Sequence, residues 1–363
     1  VFKMNYLSEV TICGKIISIN NPTYFIADIA SNHDADLSRA KELIWHCKEA
    51  GADAVKFQHF KAEKIVSDYG FQHLKQSSHQ AKWEKSVFDV FKDYELKRDW
   101  NYELKKEADL AGIDFFTTPY DIEAVEEIDD LVEVYKIGSG DITWIDFIQH
   151  IAKKNKPTLL ATGASNFNDV QRAVEEITKY NDKVILMQCN TNYTGEIENF
   201  KYINLNVLKT YNTMYPNMIL GLSDHTPGHA TVLGAITLGA RVIEKHFTDD
   251  NNRKGPDHPF SMNPNTWREM VRNARELESS FGNGLKIVEN NEQETAIVQR
   301  RGIYLNKDKK QGDIIFAEDL EFLRPAPDNI YFPYEKSQVV GQVLMVNKHA
   351  GQPIYRGDMN VEG

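Results

Sequence analysis

The chain has 363 residues, 41% hydrophobic and 26% charged, with a formal net charge of −11, so two domains fit comfortably within it. The acidic balance argues against a general nucleic-acid binder. No apolar stretch reaches the length of a bilayer span, and no signal-peptide pattern opens the chain.

In chain order, VTICGKIIS (10–18) predicts a small hairpin that closes the floor of a barrel. Eight short apolar runs then recur at helix-sized intervals: YFIADIA, AVKFQHF, DFFTTPY, VYKIGS, PTLLATG, VILMQCN, ILGLSDH and VIEKHFT. Runs rich in Val, Ile, Leu and Phe suit strands buried on both faces. After the first, SRAKELIWHCKEAG sets Ala40, Leu43, Ile44, Cys47 and Ala50 on one helical face, with Gly51 as a stop. The polar, His-, Lys- and aromatic-rich stretch from Ser67 to about Asp93 breaks the rhythm and predicts an excursion over the barrel mouth. NFNDVQRAVEEITKY and TWREMVRNARELESS are further amphipathic helices. Eight strand-helix units predict an α/β fold, a (β/α)8 TIM barrel over residues 1–282. Character changes near Phe281. Residues 283–298 read as an exposed linker with a helical tail, and 299–363, with short β-like runs and a turn signal at Lys309–Gly312, as a small β-rich domain. Cys13, Cys47 and Cys189 are too few and too scattered for a disulfide framework, and predict a reducing cytoplasm.

In a barrel of this kind chemistry collects at the C-terminal ends of the strands. His225 and His246 end the seventh and eighth runs. Neighbouring parallel strands lie about 4.8 Å apart, so the two imidazoles can share a divalent ion with open positions for a substrate oxygen. The bland alternative is two hydrogen-bonded histidines near a surface. Lys56 and Lys136 sit on buried strands, where an ammonium is costly unless it reaches a partner. Two converging lysines would bind phosphate and carboxylate, with a Schiff base and simple snorkelling to solvent as the alternatives. Ser139 and Gly140 offer a turn with exposed amides for an anion. Asp28, Asp141 and Asp257 could orient sugar hydroxyls or move protons. Asp141 could equally cap the helix that begins ITWIDF.

FIADIASNHDADLSRAKELI, EAGADAVKFQ, FFTTPYD, YKIGSGDI, GLSDHTPGHATVLGAITLGARVIEKHFT and GPDHPFSMNP resemble, in order and spacing, the signatures of the N-acetylneuraminate (sialic acid) synthase family. The stretch from RRGIYLNKDKKQGDIIFAEDLEFLRP onward resembles that family's antifreeze-like (SAF) domain. The resemblance implies condensation of phosphoenolpyruvate with the open-chain aldehyde of an N-acetylmannosamine-type sugar. The product is a nine-carbon 2-keto sugar acid, with release of phosphate. It implies Mn2+ or a similar ion on His225 and His246. It also implies phosphoenolpyruvate contacts from Lys56, Thr118, Lys136, Ser139 and Ser223, and sugar contacts from Gln58, Tyr193 and Asp257. The resemblance further implies a domain-swapped homodimer, in which one subunit's small domain caps the partner's barrel and delivers Arg324.

Four positions depart from the family pattern. Asp28 and Asp141 stand where a glutamate is usual, Ala161 replaces a serine, and Thr191 replaces an asparagine or serine that contacts phosphoenolpyruvate. Two shortened carboxylates raise a 2,4-diacetamido acceptor, of legionaminic or pseudaminic type, as an alternative to N-acetylmannosamine. A Schiff-base aldolase, a heptulosonate or octulosonate synthase and a non-catalytic carbohydrate-binding barrel are rivals.

Overall fold

The structure, a computed structural model, describes residues 5–74, 80 and 83–359. By its contacts the chain divides into two compact units, Val1–Phe281 and Gly282–Gly363.

In the first unit, strands β1 (Glu9–Ile12) and β2 (Lys15–Ser18) form an antiparallel hairpin. Lys15 bonds the carboxylates of Asp53 and Asp114, which lie just before or at the start of two barrel strands, so the hairpin closes the N-terminal end. Eight parallel strands come next: β3 (Tyr24–Asp28), β4 (Ala54–His59), β5 (Asp114–Pro119), β6 (Tyr135–Ile137), β7 (Thr158–Ala161), β8 (Val184–Cys189), β9 (Ile219–Asp224) and β10 (Ala240–His246). They pair in sequence order, and β10 closes on β3 to complete the (β/α)8 barrel. Nearly every strand residue is buried, because one set of side chains fills the barrel and the other meets the surrounding helices. Space inside is tight. A Cβ at Gly221 would stand 2.7 Å from the Val242 carbonyl oxygen and 3.0 Å from Met187.

Helix Leu37–Glu49 is capped by the Asp36 side chain and buries Ala40, Leu43, Ile44 and Cys47 against the barrel. The helices at Phe167–Thr178 and Pro264–Ser279 each begin with a reciprocal capping box, on Asn166 and Asn263. Of the expected excursion, helices Asp68–Gln72 and Val87–Asp93 are seen, while residues 75–79, 81 and 82 lie outside the described residues.

The second unit opens with the exposed helix Gln293–Gln299. Strands β11 (Gly302–Leu305) and β12 (Leu320–Leu323) then pair antiparallel. Ile303, Leu305, Ile315, Val339, Leu344 and Ile354 form its core. Asp319, buried in this unit, bonds the ammonium groups of Lys307 and Lys309. The turn at Lys309–Gly312 is present, with Gly312 at φ 91.

Candidate active site

Strand register decides which side chains meet at the barrel mouth. Asp28 pairs with Lys56, His246 with Asp28, Gln58 with Thr118, and Ser223 with Glu244. Those side chains form one cluster. Lys56, 1% exposed, donates to Asp28 Oδ2 at 2.7 Å and to Thr118 Oγ1 at 2.8 Å. Gln58 donates to the same Asp28 oxygen at 2.9 Å, and the Ala30 amide donates to the other at 3.0 Å. Lys136, 6% exposed, donates to Ser223 Oγ at 3.1 Å and forms an ion pair with Glu244. Glu244 Oε1 lies 3.9 Å from Lys56, so the two lysines flank one carboxylate. Neither lysine snorkels to solvent.

The electrostatics reflect that packing. Burial pushes the Asp28 carboxyl up, but Lys56, His246 and Lys136 outweigh it and hold it below the usual carboxylate range. Burial disfavours the Lys136 ammonium, yet Glu244 raises it above its ordinary value. A lysine that forms imines needs the opposite shift.

His225 and His246 stand with ring centroids 5.2 Å apart. Tyr193 packs against His225 at 4.4 Å, and Phe260 packs against His246 at 5.0 Å. His225 Nδ1 bonds the Asn190 carbonyl at 2.8 Å. A carbonyl only accepts, so Nδ1 carries the proton and Nε2 keeps its lone pair. Burial, together with His246, pushes the His225 imidazole down to about 3, which keeps it neutral near pH 7. His246 Nδ1 is buried with no hydrogen-bond partner among the described residues. It lies 4.0 Å from Asp257 Oδ2, while Nε2 lies 3.8 Å from Asp28. The neutral His225 imidazole, with Nε2 free of its proton, and the orphaned ring nitrogen of His246 fit a divalent cation. Among the described residues no cluster of three or more His, Cys, Asp or Glu side chains is arranged to hold a metal. An ion here would therefore rest on two protein ligands and leave positions for substrate.

The other expected residues have distinct surroundings. The Ser31 amide and hydroxyl donate to Asp257 Oδ2, at 3.1 and 2.6 Å, fixing that carboxylate beside His246. Ser139 Oγ accepts from the Gly163 amide at 2.9 Å. Thr191 approaches the same glycine so closely that a Cβ there would meet its methyl at 2.4 Å. The 139–141 turn spends the Asp141 amide on Gly138. The Asp141 side chain does not cap the next helix, which begins after Trp144 without a side-chain cap. Its Oδ2 is instead buried without a partner among the described residues, and burial raises the carboxyl to about 6. Arg324 is exposed in the second unit, between β12 and Pro325.

Glu244 was missed by sequence reasoning. A glutamate at an inward position of a buried strand, two residues before His246, was the available signal. Its Oε2 is buried and lacks a partner among the described residues.

Comparison with known proteins places this arrangement. Residues 43–286 match the NeuB family, and residues 300–359 match the SAF domain. The N,N'-diacetyllegionaminic acid synthase of Legionella pneumophila is 35% identical over 334 residues, 90% of this chain and 92% of that one. The human N-acetylneuraminate-9-phosphate synthase is 31% identical over 280 residues, 77% of each chain. A crystal structure of N-acetylneuraminic acid synthetase from Leptospira borgpetersenii, in complex with citrate, superposes with a TM-score of 0.69 at 27% identity. That match covers 81% of this chain and 96% of the other.

Proposed function

From the premise that the chain belongs to the NeuB family of nonulosonic acid synthases, we propose that it condenses phosphoenolpyruvate with an open-chain N-acetylated amino sugar, releasing phosphate. The product is a nine-carbon 2-keto sugar acid. The observation that carries the reading is the meeting of two imidazoles with two buried lysines at one barrel mouth. A divalent ion, Mn2+ by resemblance, would be held by His225 and His246 and would polarise the acceptor aldehyde.

Lys56 and Lys136, with Thr118, Ser223 and Ser139, hold the phosphate and carboxylate and fix the face of the enol that attacks. Asp28 and Glu244 balance those two ammonium groups when no substrate is bound, so no buried charge stands alone. Asp257, held by Ser31, and Gln58 orient the sugar. Once the new carbon–carbon bond leaves C2 electron-poor, water adds there. Glu244, with one uncommitted buried oxygen, orients that water. The tetrahedral intermediate then expels phosphate. A Schiff-base route is disfavoured by the raised Lys136.

The same reading includes a domain-swapped homodimer, with Arg324 supplied to the partner's barrel. The test is phosphate release with Mn2+ across 2-acetamido and 2,4-diacetamido sugars. Covalent trapping by borohydride with pyruvate, insensitive to EDTA, would instead select the aldolase. Sugar binding without any phosphate release would select a carbohydrate-binding barrel.

A further inference from the structure

Asp257, whose carboxylate stands beside His246, belongs to an irregular stretch after β10 that is anchored at several points. Its Oδ2 accepts from the Ser31 amide and hydroxyl, and its carbonyl accepts from Ser261 Oγ at 2.7 Å. The Asn32 amide group donates to that Ser261 oxygen at 2.9 Å. The next residue, His258, is fully buried. Its Nδ1 meets the Thr248 hydroxyl at 2.7 Å, and its Nε2 meets Asp34 Oδ1 at 2.9 Å. A carboxylate only accepts, so Nε2 carries the proton.

Asp34 holds more than the imidazole. Its Oδ2 lies 3.0 Å from Arg39 Nε and 2.8 Å from Arg253 Nη2. Arg39 also grips both oxygens of Asp249, at 2.7 and 2.5 Å. One carboxylate thus ties the turn after β3 and the helix Leu37–Glu49 to the stretch that carries Asp257. Ser31 and Asp34 share one turn, in which the Asp34 amide donates to the Ser31 carbonyl at 3.1 Å. That turn therefore grips Asp257 by its side chain and His258 by its ring. Charge-assisted bonds of this kind hold a geometry more firmly than neutral ones. Among the described residues, Asp34 bonds none of Lys56, Lys136, His225 and His246.

We propose that Asp34 is a positioning residue for the acceptor sugar: through His258 it sets where the Asp257 carboxylate stands beside His246. The inference rests on the reading that the barrel joins phosphoenolpyruvate to an open-chain amino sugar, with Asp257 orienting that sugar. A displaced His258 ring carries the backbone of Asp257 with it, and a small misplacement of a substrate-orienting group is costly. The phosphoenolpyruvate end is insulated from such a shift. Lys56 and Lys136 bond groups on β3, β5, β9 and β10, and none on the stretch that holds Asp257.

Asp34→Asn tests the assignment, because one amide cannot serve both sides. With its oxygen toward His258, its NH2 faces two guanidinium groups; turned over, it faces the Nε2 proton. Phosphate release with Mn2+ is measured using whichever of N-acetylmannosamine and a 2,4-diacetamido sugar the parent turns over faster. KM for the sugar is expected to rise about tenfold, the scale of one lost charged contact, with KM for phosphoenolpyruvate and the Mn2+ Kd from calorimetry within about twofold of the parent. The fall in kcat at saturating sugar should be smaller than the rise in that KM. A general folding defect would not produce this split. Asp34 has φ 51, which glycine adopts freely, so Asp34→Gly carries the test if Asp34→Asn does not fold. A sugar KM within about twofold of the parent's, whatever the fall in kcat, overturns the proposal with the condensation reading intact. An equal rise in KM for phosphoenolpyruvate or in the Mn2+ Kd does the same. No phosphate release by the parent with either sugar overturns the condensation reading itself, and this inference with it.

Discussion

Replacing Lys245 with methionine tests how the barrel holds together the two strands that lead to His225 and His246. Lys245 is on β10 between Glu244 and His246, and its ammonium points away from the mouth. There it bonds Asp224 Oδ2 at 2.5 Å and the Thr226 carbonyl at 2.6 Å. Both side chains of the pair are at most 2% exposed. Methionine keeps the length of the stem and removes the charge, leaving Asp224 buried. Breaking such a pair from one side costs about 3–5 kcal/mol, mostly the penalty of the charge left behind. Hydroxyl bonds from Thr226 and Thr231, at 2.9 and 2.8 Å, remain to Asp224, so a loss of about 3 kcal/mol, the lower end of that range, is expected. All five tryptophans lie in the first unit, so tryptophan fluorescence in urea reports barrel unfolding. The midpoint should fall by about 1 M.

The deficit should also depend on pH. In the native protein burial raises the Asp224 carboxyl, but Lys245 and the threonines outweigh it and hold it low. A depressed carboxyl contributes stability above its unfolded value of about 3.9 and loses it as pH falls through the folded value. Without Lys245, burial dominates and Asp224 takes up a proton more readily. The gap between variant and parent should therefore be widest near pH 7 and narrow as pH falls toward about 4. A loss under about 1 kcal/mol at pH 7, well below the range for a broken buried pair, or a gap that widens in acid, would refute the reasoning.

His246→Ala should abolish divalent-dependent turnover and weaken Mn2+ binding at least tenfold by calorimetry, with an unchanged circular dichroism spectrum. Full activity in metal-free buffer would contradict it. Gly163→Ala places a Cβ 2.4 Å from the Thr191 methyl and 2.9 Å from Ser139 Oγ. It should cost about 1–3 kcal/mol and raise KM for phosphoenolpyruvate more than KM for sugar. Asp141 has a folded value near 6, above its ordinary 3.8. It therefore supports folding below about pH 4 and loses that contribution as pH rises through about 6. Asp141→Asn should match the parent near pH 4 and gain about 1–3 kcal/mol over it at pH 7, read from paired urea curves.

The strand-end histidines and lysines were legible because an alternating or fully apolar run ending in a reactive side chain is a local pattern. The hairpin at 9–18 and the helix from Leu37 were legible for the same reason, through a turn at Cys13–Gly14 and a 3.6-residue period. Asp141 was ambiguous, since a side chain near a helix start reads as a cap until its neighbours are known. The contacts that give the site its electrostatics join residues far apart in the chain. Lys136 and Glu244 are 108 positions apart, and Ser31 and Asp257 are 226 apart.

Residue order by itself settled the barrel, the small β-rich unit after it, and the chemical types gathered at the strand ends. These depend on backbone periodicity and on which side chains tolerate burial. Tertiary structure alone decided that Glu244 sits between two ammonium groups and that Asp28 is spent on Lys56. It also decided that aromatic side chains from an irregular segment wall the space beside His246. Barrel closure and register bring those groups within a few ångströms, and no local stretch of sequence encodes a distance between strands that meet only when the sheet closes.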